Sequence, residues 1–63
     1  MSGSKVQWND ALRAWMLDRW IEGQSATEIA CAVSRRVGVR ITRNTALGQI
    51  KRMEKRTGRY RAP

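Results

Sequence analysis

Sixty-three residues make one small domain, and a chain of that size buries only about 60% of its unfolded surface, so its core is thin. The formal charge is +8, from 13 Lys/Arg against five Asp/Glu, with one cysteine and no histidine. A lone Cys31 excludes an intrachain disulfide, and without histidine a zinc site or a base-activated thiol within one chain is excluded too.

The charge is lopsided. Residues 1–34 carry three bases against four acids, and residues 35–63 carry ten bases against Glu54 alone. A polyanionic partner for the second half follows. No run approaches the ~20 apolar residues of a membrane span, and the short polar N-terminus holds no secretory signal. The expected setting is the cytoplasm, in association with the nucleoid. Scattered acids and the lack of a phosphate-cradling glycine loop point away from an enzyme, and no cofactor is expected.

Residues 1–7 are rich in Gly and Ser and read as a flexible terminus. The folded part is expected over about 8–56, as helices at about 9–22, 25–36 and 42–56. Asn9 is the first N-cap, with Asp10 favourably placed beside the positive helix end. Trp8 is placed to pack back on Leu12. Leu12, Trp15, Met16 and Trp20 form a broad apolar face, and Arg19 within it is expected to snorkel. Gly23 ends the helix. Ala14, Leu17 and Ile21 form a second stripe, expected on the far side. Left exposed, it offers a homodimer or partner surface.

Ser25-Ala26-Thr27-Glu28 is a capping box. Ala26, Ile29, Ala30 and Val33 point inward from the second helix, and Cys31 reads as a small filler residue. Gly38 is the stop. The connector to the third helix is longer than the roughly three or four residues of a sharp helix-turn-helix turn. Either the helix passes Arg36 or the connector is irregular; a short extended piece is the lesser alternative.

Ile41 to Met53 is the most informative stretch. Thr42 is the N-cap; Ala46, Ile50 and Met53 share one side, with Leu47 at its edge. Asn44, Thr45, Gly48, Gln49, Lys51, Arg52 and Lys55 take the other. A helix-interior glycine costs about 1 kcal/mol, so Gly48 in the middle of that polar side needs a reason. One reason is close approach of something to the backbone. The surface reads as a DNA-recognition helix, against the plainer alternative of a solvated helix. Residues 57–63 form a basic tail with Tyr60. It is either solvated charge or an arm that tracks phosphates or a minor groove.

Several blocks together resemble the GcrA-like bacterial cell-cycle regulators and related small phage proteins. They are Trp8 with its polar cap and Asp10, Trp20-Ile21-Glu22-Gly23, and Ser25-Ala26-x-x-Ile29-Ala30. The specific block is Thr42-Arg43-Asn44-x-x-x-Gly48-x-x-x-Arg52. The resemblance spans Trp8 to Met53. It implies an all-α, three-helix helix-turn-helix fold and a transcription regulator that binds double-stranded DNA at adenine-methylated sites. It also implies work with RNA polymerase through the primary sigma factor. The family's sigma-contacting part follows its DNA-binding domain, and these residues stop at Pro63 before such a part. A phage-encoded regulator acting in host cytoplasm is consistent with that.

In this reading Thr42 and Arg43 meet a phosphate or base edge at the positive helix end. Asn44 suits an adenine edge, and Arg43 or Lys51 a guanine edge. Gly48 admits the backbone or a methyl group, while Thr45 and Gln49 share the face. Lys51, Arg52, Lys55 and Arg56 meet phosphate, and Arg35, Arg36 and Arg40 form a second phosphate set. The rival reading is a small interaction module, or an inhibitor of host transcription machinery, acting through the first helix. RNA binding and membrane activity fit less well, because the tryptophans belong to the core and the helices are capped.

Overall fold

A computed structural model describes residues 8–61. The expected loose terminus at 1–7 lies outside them, as do residues 62–63. Three helices follow one another: α1 (Asp10–Glu22), α2 (Ala26–Val37) and α3 (Arg43–Thr57). The described residues contain no strand, and no helix among them is long and apolar enough to cross a membrane.

Each helix starts on a side chain that satisfies an otherwise orphaned N–H. Asn9 accepts from the Leu12 amide at 2.8 Å. Ser25 accepts from the Glu28 amide at 3.1 Å, and the Glu28 carboxylate accepts from the Ser25 amide at 2.9 Å. Thr42 accepts from the Thr45 amide at 3.3 Å. Each helix stops on a glycine at positive φ: Gly23, Gly38 and Gly58. At Gly38, φ is 73° and the amide donates back to the Ser34 carbonyl at 2.9 Å. A side chain there would be strained, so the chain turns at this point.

The connector question resolves both ways. α2 runs one residue past Arg36, to Val37, and Gly38–Thr42 is still irregular. Ser34 fastens this segment. Its hydroxyl donates to the Ala30 carbonyl at 2.8 Å and accepts from the Ile41 amide at 2.7 Å. Ile41 is thereby drawn into the core.

That core joins Leu12, Met16 and Leu17 of α1 to Ile29, Ala30 and Val33 of α2 and to Ala46, Ile50 and Met53 of α3. Trp8, Trp15, Trp20, Ile21 and Val37 pack around it. α3 lies against both other helices, whereas α1 and α2 touch less.

The second stripe of α1 is a correction. Leu17 is 1% exposed, and Ala14 and Ile21 are half-buried against the core. The exposed side of α1 is instead Ala11, Asp18 and Glu22. α1 meets both other helices, so its apolar arc is wide and only a narrow polar side stays exposed. Both stripes of α1 are used inside one chain, and the basis for a partner or homodimer surface at Ala14, Leu17 and Ile21 is removed. Cys31 is also corrected: it is exposed on α2 rather than filling the interior.

Candidate nucleic-acid interface

The outer face of α3 is built by its own register. Ala46, Ile50 and Met53 are buried, which turns Asn44, Thr45, Gly48, Lys51, Arg52, Lys55 and Arg56 to solvent. Gly48 lies in the middle of that arc. A Cβ placed on it meets nothing within 4 Å, and it does not adopt positive φ. Neither packing nor backbone conformation inside the protein requires glycine there.

At the start of α3 a groove of about 470 Å³ opens between α2 and the connector. Arg35, Arg40 and Arg43 line it, with Thr27, Ser34, Thr42 and the Cys31 thiol beside them. No acid takes part. The groove also meets the N-terminal end of α3, where helix amides carry partial positive charge. Three arginines and a helix start border this groove, together with Ala30 and Ile41, and such a combination suits an anion.

The structure divides the expected phosphate set Arg35, Arg36 and Arg40. Arg35 and Arg40 share the groove with Arg43. Arg36, one residue further round α2, leans away over the Trp15 ring, its Cζ 4.9 Å from the centroid. Arg19 covers the same ring at 4.7 Å. Arg19 thus packs on Trp15, and its Nε is buried without a hydrogen-bond partner among the described residues.

Several other cations are held by the protein. Arg56 donates to Asp10 at 2.8 Å. Arg13 reaches the same carboxylate at 3.5 Å and donates through Nε to the Gln49 side-chain oxygen at 2.8 Å. Gln49, half-buried at the edge of the face, accepts from Arg13 and keeps its amide N–H groups to donate. Lys51 lies 3.5 Å from Glu54. By contrast Arg35, Arg40, Arg43, Arg52 and Lys55 have no carboxylate partner among the described residues. These five are the cations most available to a polyanion.

The segment after α3 folds back on α1. Arg59 donates to Asp18 at 3.0 Å, and Arg61 donates to the Gly23 carbonyl at 3.0 Å while covering the Trp20 ring at 4.6 Å. Glu54 is the residue that sequence reasoning missed. It is 4% exposed and accepts from the Trp20 indole N–H at 3.0 Å. Its place four residues after Ile50, on the buried side of α3, was the available signal. No protein-family model matches this chain, and neither does any curated protein or solved structure.

Proposed function

We propose that the protein is a helix-turn-helix binder of double-stranded DNA that regulates transcription. α3 enters a major groove with Asn44, Thr45, Gly48 and Arg52 toward the base pairs. Arg35, Arg40 and Arg43 clamp a backbone phosphate at its N-terminal end, and Lys55 meets phosphate further along. Gln49, fixed by Arg13, offers a donor to a base acceptor. The observation that carries this reading is Gly48. It sits at the centre of an exposed cationic face, costs helix stability and is required by nothing in the protein. Close approach from outside supplies the reason.

The reading agrees with what the resemblance to GcrA-like regulators implies. Sensitivity to adenine methylation and any role with sigma factor rest on that resemblance alone. The rival interaction module loses its support, because the stripe on α1 that carried it faces inward. Nucleoid association follows from the DNA reading.

The test is binding to short duplexes, unmethylated and adenine-methylated, at two salt concentrations, with a random-sequence control. A regulator prefers some duplexes over the control, and its affinity falls steeply with salt as counterions are released. Weak, equal binding to every duplex leaves charge alone and rejects specific reading.

A further inference from the structure

A second recess, of about 440 Å³, lies beside the latter half of α3. That volume falls in the range of roughly 300–1,000 Å³ usual for small-ligand sites. Three parts of the chain meet there: Trp20 of α1, Lys51, Glu54 and Lys55 of α3, and Tyr60 with Arg61 beyond it.

Their chemistry differs from that of the arginine groove. Trp20 is already covered, by Arg61 at 4.6 Å and by Lys51 at 5.9 Å from its ring centroid. It serves as a wall. Tyr60 is 60% exposed and is the one large apolar side chain left open among the described residues. Glu54, although buried, lines the recess. One of its oxygens takes the Trp20 indole N–H at 3.0 Å, and the other lies 3.5 Å from Lys51. A carboxylate has about four lone-pair positions, so acceptor capacity remains for a donor entering the recess. Lys55 stands at the rim, without a carboxylate partner among the described residues.

An open aromatic face, a carboxylate acceptor and a cationic rim suit one kind of ligand better than others. A duplex phosphate would use the cations and be repelled by Glu54. An acidic peptide would meet the same repulsion and leave Tyr60 idle. A nucleotide uses all three. We infer that this recess takes one unpaired nucleotide bearing an amino group on its base. The base stacks on Tyr60 and donates its amino N–H to Glu54, and its phosphate meets Lys55. Aromatic stacking within a cationic groove is the common physics of single-strand binding. Lys51 and Lys55 also belong to the outer face of α3, so a strand leaving a duplex on that face would reach the recess. The inference goes beyond duplex reading and does not require it.

The experiment compares a blunt duplex with the same duplex carrying a short single-stranded extension of adenine, cytosine or thymine. The full chain and its Tyr60→Ala and Tyr60→Phe variants are used. Amino-bearing extensions should tighten binding by about tenfold, the scale of one stacked base. Tyr60→Ala should remove that gain and Tyr60→Phe should keep it; Tyr60 is exposed, so neither change threatens the fold. In parallel, adenosine 5′-monophosphate is titrated while the Trp20 indole N–H resonance is followed. A shift marks a site open to free nucleotide, and a still resonance beside a gain on extensions marks one specific to strands. Equal affinity with and without extensions, together with a still resonance, overturns the inference. A gain that survives Tyr60→Ala also overturns it, and an equal gain on thymine overturns the role of Glu54. A gain on extensions with no binding to blunt duplex keeps this inference and rejects the duplex reading instead.

Discussion

The cations of this molecule fall into two regions that behave differently. At the seam between α1, the latter end of α3 and the segment after it, they are engaged: Arg13 with Gln49 and Asp10, Arg56 with Asp10, Arg59 with Asp18, Arg61 with Gly23 and Trp20. At the start of α3 and along its outer face, Arg35, Arg40, Arg43 and Arg52 have no carboxylate partner among the described residues. A count of charges treats the two regions alike. The geometry separates charge that ties helices together from charge held ready for an anion outside.

Substitutions can break or sharpen that division. The largest effect tests its foundation, the burial of Leu17 of α1 in the core. Leu17→Ala should destabilise the fold by about 2–5 kcal/mol, as for other buried leucines, read by urea or thermal unfolding. A cost near the ~0.5 kcal/mol of surface changes would return Leu17 to the outside and reopen α1 as a docking face. Next come the two classes of arginine. Arg43→Ala should weaken binding to preferred and random duplexes alike and lower the salt slope by about one. Arg59→Ala should leave duplex affinity unchanged and cost about 0–1 kcal/mol of stability, the scale of an exposed ion pair. Equal losses of affinity from both would erase the distinction. The smallest effect is the most specific. Gly48→Ala should stabilise the protein by roughly 1 kcal/mol and weaken duplex binding. An alanine variant that is more stable and binds as well would mean that nothing approaches Gly48 closely.

Much of the fold was legible because its signals are local. Asn9, Ser25 with Glu28, and Thr42 cap helices in the sequence pattern and in the structure, and Gly23, Gly38 and Gly58 end them. The inward sides of α2 and α3 were equally plain, since each has one apolar arc and one polar arc. α1 has no such contrast. Its apolar residues run nearly all round, and periodicity cannot say how many neighbours a helix will have. Periodicity alone therefore puts Leu17 outside, and the neighbouring helices bury it. On the candidate interface, the outer face of α3 followed from register. The separation of Arg36 from Arg35 did not, because it depends on where Trp15 of another helix comes to lie. The burial of Glu54 depends on Trp20 in the same way. Cys31 is exposed although it adjoins the apolar arc, because a small residue there carries little directional information.

The tryptophans have a practical consequence. Trp15 is flanked by two guanidiniums where α1 meets α2, and Trp20 donates to a buried carboxylate where α1 meets α3. Each indole thus has its own electrostatic surroundings and its own emission and quenching behaviour. The molecule carries a separate optical reporter at each of two joints. Variants retaining one tryptophan at a time would show whether the lighter α1–α2 joint opens together with the α1–α3 joint or before it. Coincident transitions would mark a single cooperative unit, in which an event at α3 is felt throughout the chain.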